Sequence, residues 1–397
     1  MKLSRYDYSF IILLLSHTII LFYTSTQFSI SYSEADIFFN QNNILHHITN
    51  FFTNNFGRDD FILRLPFILF YIASSILMYL FTKHYFKHKI DSLISVAIFM
   101  MLPGVNSAGL LINNSIIVIF CLLLYLYIYK KQYKIHYLLL ILFLFIDNSF
   151  SLLYLSLIIF SFRKKDKILL IVSSILFLIS LYFYPFLIGG HPKSYLVDTL
   201  GAYSSIFSPF LFIYFIYAVY RIGIKLDKNL NWYIASITLV LSLILSLRQK
   251  IAIEDFAPFV IVAIPDMVRL FMFSLRVRLK QFRKIHYILV SFIIFTLSLN
   301  LLVLILNQHF YIFIENPKNY FAYKYHIAKE LSQKLKKLNI SDVNIDDKKM
   351  QLRLKYYGIN NSKINFISKT PTDNQYKELN IEYSNKLISK FFLISKM

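Results

Sequence analysis

The chain has 397 residues, of which 57% are hydrophobic and 18% aromatic, and its formal net charge is +21. Soluble globular domains contain fewer apolar residues, so the composition excludes an ordinary soluble protein and predicts a polytopic membrane protein. The single cysteine, Cys121, lies inside an apolar run. One cysteine excludes a disulfide framework or a cysteine-based metal site within the chain.

The excess of Lys and Arg makes nucleic acid a candidate partner, because basic surfaces attract phosphate backbones. The basic residues of the apolar part, however, fall in short runs between apolar segments, as residues that set membrane topology do. The sequence therefore predicts membrane lipids as partners and no nucleic acid.

Apolar segments long enough to cross a bilayer follow one another through the first three quarters of the chain. No small-residue cleavage site follows the first of them, so it is predicted to be an uncleaved span. We predict eleven spans, at residues 8–28, 62–82, 91–110, 114–129, 136–147, 148–162, 167–189, 205–224, 230–247, 252–272 and 286–308.

The fifth and sixth spans are shorter than the ~20 residues that a straight span needs. They are predicted to form a hairpin that turns at Asp147 and Asn148; the alternative is one long kinked helix, which would invert every later span. With the hairpin and a cytoplasmic N-terminus, 21 Lys and Arg of residues 1–308 lie inside and five outside. This asymmetry favours the hairpin, with the first loop and the C-terminal region outside.

The first outer loop, residues 29–61, is the longest connection and the richest in titratable groups. Apolar residues recur in it at the spacing of one helix face, which predicts an amphipathic helix lying flat on the membrane surface. These residues are Ile44, Leu45, Ile48, Phe51, Phe52 and Phe56.

Residues 309–397 are hydrophilic, hold 16 Lys and Arg, and are predicted to form a small soluble α/β domain after a transmembrane domain of residues 1–308. Helices are predicted at 318–337 and 347–359, and strands at 343–345, 363–368 and 390–395. Alternation of helix and strand is typical of this class. The region has no Gly-rich phosphate loop, so a packing or docking role is expected rather than catalysis.

Three stretches carry a resemblance to a known family: SEADIFF (33–39), FGRDDFILRLPFIL (56–69) and SLRQKIAIEDFAPFVIVAIPDMV (246–268). Their order and spacing resemble the GT-C glycosyltransferases that use polyprenyl-phosphate sugars, especially protein O-mannosyltransferases and lipid A aminoarabinose transferases. Glu34 aligns with the Glu of the family's Asp-Glu motif, whereas Ser33 stands where the family has Asp.

The resemblance implies a sugar transfer from a polyprenyl-phosphate donor to a lipid, glycan or protein acceptor at the periplasmic face of a bacterial inner membrane. Glu34 and Asp36 are the candidate catalytic residues, since a carboxylate can accept the proton of the attacking group. The other interpretation is that one of them only caps the surface helix. A divalent metal ion is a candidate cofactor, with Glu34, Asp36 and His46 as candidate ligands.

The developing charge of the leaving phosphate requires cations. Arg248 and Lys250 are the main candidates, and membrane anchoring is their alternative role. His191 and Lys193 are weaker candidates. Arg64 is a further candidate for substrate contact, although a structural pair with Asp59 or Asp60 is the alternative.

Three other functions stay open at this point. A flippase for a lipid-linked glycan would carry charges deep within several spans, whereas here the charges lie near span ends. An O-antigen ligase or polymerase usually has its large outer loop late in the chain. A non-catalytic relative of the glycosyltransferases is the third, because Ser33 departs from the motif.

Overall fold

The computed structural model describes residues 4–183, 194–362, 365–368 and 376–395. The described residues up to Ile305 are mainly helical, and their α-helices have the following bounds: α1 Arg5–Gln27, α2 Tyr32–Phe39, α3 Ile44–Phe56, α4 Asp60–Tyr85, α5 Lys89–Met101, α6 Pro103–Leu110, α7 Ser115–Gln132, α8 Tyr137–Phe143, α9 Ser151–Lys164, α10 Lys167–Phe183, α11 Leu196–Phe207, α12 Pro209–Lys225, α13 Leu230–Ser246, α14 Ile253–Ile261, α15 Ile264–Val277 and α16 Lys284–Ile305.

The C-terminal region adds two helices and four strands: α17 Ala328–Lys337, β1 Asn344–Ile345, α18 Lys348–Tyr356, β2 Asn365–Ser368, β3 Lys377–Tyr383 and β4 Lys386–Ser395. Short 3₁₀ turns occupy Asn148–Phe150, Lys280–Arg283, His309–Phe313, Pro317–Asn319 and Tyr323–Tyr325.

Five helices of the described chain are long and apolar enough to cross a membrane: Arg5–Gln27, Asp60–Tyr85, Ser115–Gln132, Ile253–Val277 and Lys280–Ile305. Two bent pairs raise the number to seven if each counts as one span: α5 with α6 bends by 59°, and α11 with α12 by 105°. The helices α10 and α13 are apolar but shorter. The predicted class, a polytopic α-helical membrane protein, is confirmed.

The hairpin predicted at Asp147 and Asn148 is confirmed. The Tyr154 hydroxyl donates a hydrogen bond to the Leu140 carbonyl at 2.8 Å. In one continuous helix these residues would stand roughly 21 Å apart, because each residue adds about 1.5 Å. The Asp147 carboxylate stabilises the turn by accepting hydrogen bonds from the Ser149 amide at 2.8 Å and from Asn114 Nδ2 at 2.6 Å.

The described chain forms two compact units. The first comprises Met1–Thr18, Phe67–Gly109 and Asn113–Leu301, and the second comprises Ile19–Pro66, Leu110–Ile112 and Leu302–Met397. In the first unit, α9 packs on α10 and α13, while α14 packs on α7 and α13. Buried carboxylates in this unit are paired: Asp91 with Arg276, and Asp266 with Arg269 at 3.6 Å.

The second unit joins the first outer loop to a four-stranded sheet of order β1-β2-β4-β3. Strands β1 and β2 are parallel, and β4 pairs antiparallel with both β2 and β3. α17 and α18 supply the helical side of an apolar core that includes Leu331, Leu335, Leu354, Ile381 and Phe391. The predicted α/β character of the C-terminal region is therefore confirmed.

Two local predictions in this unit are wrong. The helix predicted at 318–337 begins only at Ala328, because 3₁₀ turns occupy the stretch before it and Ile327 has a positive φ of 79°. A positive φ is incompatible with a helix and is uncommon for a β-branched residue. The second error is strand β3, Lys377–Tyr383, which was not predicted because four of its seven residues are charged or amide side chains.

Candidate functional site

The first outer loop begins with the short helix α2, which a capping box starts. The Ser31 hydroxyl accepts a hydrogen bond from the Glu34 amide at 3.3 Å, and Glu34 Oε2 accepts one from the Ser31 amide at 2.8 Å. Glu34 Oε1 accepts a third bond from the Ile112 amide at 3.3 Å. The Glu34 residue is 2% exposed, so its carboxylate is buried and both of its oxygens are occupied.

Arg64 is the cationic partner of this carboxylate. Its Nη2 lies 3.1 Å from Glu34 Oε2 and also donates to the Ser29 carbonyl at 3.1 Å. Its Nη1 donates to the carbonyls of Phe28 at 3.0 Å and Asp60 at 3.2 Å. Because Arg64 is fully buried and its terminal nitrogens bind protein oxygens, it fixes the entry of the loop. The predicted pairing with Asp60 is present but long, at 3.9 Å.

Asp60 connects the end of the loop to the C-terminal region. Its Oδ1 accepts a hydrogen bond from the Tyr357 hydroxyl at 2.6 Å, and its Oδ2 lies 3.0 Å from Lys329 Nζ. Lys329 also donates to the Thr26 carbonyl at 2.9 Å. The Tyr357 hydroxyl in turn accepts from the amide of Ile30 at 3.0 Å. These bonds attach both ends of the first loop to α17 and α18.

Arg353, on α18, binds the same stretch of the loop. Its Nε donates to the Ile30 carbonyl at 2.7 Å, and its Nη2 donates to Ser29 Oγ at 3.1 Å and to the His326 carbonyl at 2.6 Å. Burial lowers the pKa of this guanidinium below its usual value. Its charge is tolerated because three oxygens surround it, as burial of a cation requires.

His326 lies beneath Arg353 and is held neutral. Burial, reinforced by the Arg353 charge, lowers the pKa of the imidazole from 6.5 to about 3. Its Nε2 donates to Asn307 Oδ1 at 3.0 Å, and its Nδ1 accepts from the Tyr311 hydroxyl at 2.9 Å. We assign this tautomer because Asn307 Nδ2 is used as a donor to Gln27 Oε1 at 3.0 Å, which turns Oδ1 towards the histidine.

We call Glu34, Asp60, Arg64, Lys329 and Arg353 the loop cluster. It contains two carboxylates and three cations, and four of its members are at most 6% exposed. A buried charge without a partner destabilises a fold strongly, and each charge of the loop cluster has an ion-pair or hydrogen-bond partner, although Arg64 Nε makes no hydrogen bond among the described residues. The loop cluster is therefore suited to hold α2 rigidly in place.

Asp36 stands apart from this network on α2. It is half-buried, and its two oxygens accept from Asn40 Nδ2 at 2.7 Å and Gln41 Nε2 at 3.0 Å. These bonds lower the pKa of its carboxyl group. Residues two apart on a helix point about 200° apart, so Glu34 and Asp36 do not face one point.

The proposed metal ligands do not form a metal-ligand set in this geometry. N–H donors occupy the oxygens of Glu34 and Asp36, and His46 Nδ1 lies 3.2 Å from the Ile37 carbonyl. No group of three His, Cys, Asp or Glu side chains among the described residues is arranged to hold a metal ion. We therefore derive no chemical step through a metal, and the cofactor stays a prediction.

The candidate phosphate-binding residues Arg248 and Lys250 follow the end of α13. Both are exposed, and neither makes a side-chain hydrogen bond or ion pair to another residue within the described ranges. His191 and Lys193 lie outside the described residues.

The amphipathic helix predicted in the loop is α3, Ile44–Phe56. Asn43 caps its start, where the side chain accepts a hydrogen bond from the His46 amide, and Gly57 caps its end with a φ of 97° that suits glycine. Its buried face consists of Leu45, Thr49 and Thr53, while Phe51 and Phe56 are 63% and 62% exposed. An apolar face turned away from the protein is typical of a helix that lies in a membrane interface.

Sequence reasoning missed four contributors to the site: Lys329, His326, Arg353 and Tyr357. They follow the loop by about 300 residues, and the pairing of such distant segments leaves no local pattern. One signal was available for Arg353. It lies three residues after Met350 and next to Leu354 on the buried face of α18, where a charged side chain is unusual and indicates a buried partner.

Comparison with solved structures identifies a similar chain. The crystal structure of ArnT from Cupriavidus metallidurans in the apo state matches with a TM-score of 0.53 and 9% sequence identity, covering 97% of each chain. No protein-family model matches the sequence, and no curated protein does. At this identity the likeness concerns the fold alone, and it agrees with the fold that the sequence resemblance predicts. The chain therefore has a polytopic helical membrane fold similar to that of ArnT.

Proposed function

We propose that the protein is a membrane glycosyltransferase that moves a sugar from a polyprenyl-phosphate donor to a lipid, glycan or protein acceptor. The observation that supports this most is the agreement of its fold with ArnT, a lipid A aminoarabinose transferase, over 97% of both chains. The loop motif SEADIFF, now seen as a supported helix that presents a carboxylate, adds to it.

We place the protein in a bacterial inner membrane, with the N-terminus in the cytoplasm and the first loop and C-terminal region in the periplasm. The 21-to-5 distribution of Lys and Arg supports this orientation. A polyprenyl-phosphate donor and membrane lipids are then the natural partners of a loop whose α3 helix exposes an apolar face.

The two loop carboxylates receive different roles in this proposal. Asp36 is the candidate general base, because it is half-exposed and its low pKa keeps it ionised at neutral pH. The same low pKa makes it a weak proton acceptor, so transfer must accompany attack on the anomeric carbon. Glu34 is a positioning residue, since its buried oxygens start α2 and bind Arg64.

Arg248 and Lys250 are the candidates for binding the donor phosphate. Exposed cations without protein partners can form charge-assisted hydrogen bonds to phosphate oxygens and stabilise the leaving group. His191 and Lys193 are proposed for the same role. Arg64 is assigned to the support of the loop instead, because protein oxygens already surround its terminal nitrogens.

The flippase alternative has less support. Asp7 and Asp91 are buried near helix ends and pair with Lys83 and Arg276. Asp266, in the middle of the Ile253–Val277 span, pairs with Arg269. His17, in the middle of α1 and 5% exposed, is an exception without a hydrogen-bond partner among the described residues. One such residue is a weak signature of a transport path, which usually carries several ionisable groups.

The test is transfer of labelled sugar from a pool of polyprenyl-phosphate sugars in inner-membrane vesicles. We expect wild type to consume a donor, and Asp36→Asn to lower the rate by about 10²- to 10⁴-fold, the usual contribution of a general base. Asp346→Asn is the matched control, since it removes an exposed carboxylate of the same unit.

Each outcome has a separate meaning. If Asp36→Asn transfers sugar at the wild-type rate, the choice of base is wrong while the glycosyltransferase assignment stands. If wild type consumes no donor from the pool, the proposed function is wrong, and the flippase or the non-catalytic relative takes its place.

A further inference from the structure

The connection between α15 and α16, residues 276–285 (RVRLKQFRKI), is both basic and apolar. It holds five Lys and Arg and no Asp or Glu. Its apolar side chains point outward: Leu279 is 67% exposed and Phe282 is 58% exposed. The connection joins two helices that are apolar enough to cross a membrane, so it lies at a membrane surface.

Two of the five cations hold the connection in shape. The Arg276 guanidinium binds both oxygens of Asp91, at 2.8 and 2.5 Å. Arg283 turns back on the end of α15, where its Nε donates to the Arg278 carbonyl at 2.8 Å and its Nη2 to the Arg276 carbonyl at 3.3 Å. The side chains of Arg276 and Arg283 therefore hold residues 276–285 in one conformation.

The other three cations, Arg278, Lys280 and Lys284, are exposed and bond to no residue within the described ranges through their side chains. A contrasting basic connection is residues 130–134. There Lys130 lies over the rings of Tyr85 and Tyr133, at 5.3 Å from each, and Lys131 lies over Tyr127. Those cations have aromatic partners within the protein, whereas the three of residues 276–285 are available to a ligand.

We propose that residues 276–285 form a binding surface for anionic phospholipid headgroups of the adjoining leaflet. Arg278, Lys280 and Lys284 bind the headgroup phosphates, while Leu279 and Phe282 enter the acyl-chain boundary. A run of cations beside a membrane span attracts anionic lipid, and exposed apolar side chains at that depth anchor the segment in the interface. The binding is independent of sugar transfer.

A tryptophan reporter tests this in the full-length protein. Phe282→Trp is reconstituted in vesicles of phosphatidylcholine with a fixed fraction of phosphatidylglycerol, and the signal of the native Trp232 is subtracted with wild type. In separate samples, bromine is placed on the acyl chains of phosphatidylglycerol or on the identical acyl chains of phosphatidylcholine. The depth of the tryptophan then affects quenching by the two lipids equally. Val240→Trp, on the uncharged and lipid-exposed face of α13, is the reference reporter.

We expect brominated phosphatidylglycerol to quench the reporter at 282 more strongly than brominated phosphatidylcholine, and the reporter at 240 to be quenched equally by both. The preference is lost in Arg278→Gln/Lys280→Gln/Lys284→Gln and at high salt, because screening weakens exposed charges. The control variant Lys130→Gln/Lys131→Gln/Lys134→Gln removes three positive charges from the other connection. It should keep the preference of the reporter at 282 for phosphatidylglycerol.

Three results overturn the proposal. Equal quenching by both lipids at 282 shows that no anionic headgroup is enriched there. A preference that survives the removal of Arg278, Lys280 and Lys284 assigns it to other groups. Protection of the reporter from both lipids shows that protein, such as a second copy of the chain, covers the surface.

Discussion

Glu34 and Arg64 form an ion pair of 3.1 Å although thirty residues separate them, and neither side chain is more than 3% exposed. The pair joins the first turn of α2 to the first turns of α4, so it closes the outer loop at its base. Arg64 also donates to the carbonyls of Phe28, Ser29 and Asp60, and its Nη1 lies 3.9 Å from the Asp60 carboxylate.

Removing one partner of this pair should destabilise the second unit. We expect Arg64→Met to lower the free energy of unfolding by about 3–5 kcal/mol, because the buried Glu34 carboxylate is left without its cation. Chemical denaturation in detergent measures it. Glu378→Gln, which breaks the half-exposed pair with Lys390, is the control and should cost at most about 1 kcal/mol. Equal effects of the two variants would contradict a structural role for Arg64.

Arg353→Gln should loosen the loop while leaving α18 folded. The variant loses the bonds to the Ile30 carbonyl and to Ser29 Oγ, so hydrogen exchange of the amides at 28–31 should become faster. Mass spectrometry of exchanged peptides measures this. Lys348→Gln, an exposed cation at the start of the same helix, should leave those amides unchanged. Unaltered exchange in Arg353→Gln would show that other contacts suffice.

His326 should make the unit sensitive to acid. Its folded pKa of about 3 is below the ordinary 6.5, so the unfolded chain binds a proton that the folded chain does not. The stabilisation is therefore present above pH 6.5 and is lost as the pH falls towards 3. At pH 5 the loss should be about 2 kcal/mol. The free energy of unfolding of wild type and of His326→Gln, measured at pH 7.5 and at pH 5, gives the loss that is due to His326. The variant His47→Gln, which replaces an exposed histidine, is the control. Identical pH dependence in all three proteins would rule this out.

The apolar face of α3 should contact lipid. Cys121 is buried, so an introduced cysteine can be labelled selectively with a polarity-sensitive dye. At Phe56 the dye should report an apolar environment in lipid nanodiscs, whereas at Asn54, nearly opposite on the helix, it should report water. Both positions are exposed in the protein. The same emission at the two positions would mean that α3 does not lie in the interface.

Arg248→Gln/Lys250→Gln should raise the KM for the sugar donor without lowering stability, since both side chains are exposed and unpaired within the described chain. Each lost charge-assisted bond should cost about 1.5–3 kcal/mol of donor binding. Steady-state transfer at varied donor concentration measures KM and kcat. Unchanged KM would favour the anchoring role for both residues.

The sequence was informative wherever the signal was local. Long apolar runs predicted the membrane class, the spacing of Ile44 to Phe56 predicted α3, and Asp147 predicted a turn between two short helices. Distant pairing had no such signal. The motif makes Glu34 a catalytic candidate, yet its distant partners Arg64 and Ile112 become visible only in the fold.

The strand order has a further consequence for biogenesis. Because β4 lies between β2 and β3, the four-stranded sheet cannot form until residues 386–395 have been synthesised. Arg353 and Tyr357 depend on that sheet for their place, and the first loop depends on them. The contacts of Arg353 and Tyr357 with the loop therefore form late in translation. The bonds of Glu34 to Ser31, Arg64 and Ile112 involve only the first 112 residues, so a newly made chain has part of the support of its candidate catalytic helix before β4 is synthesised.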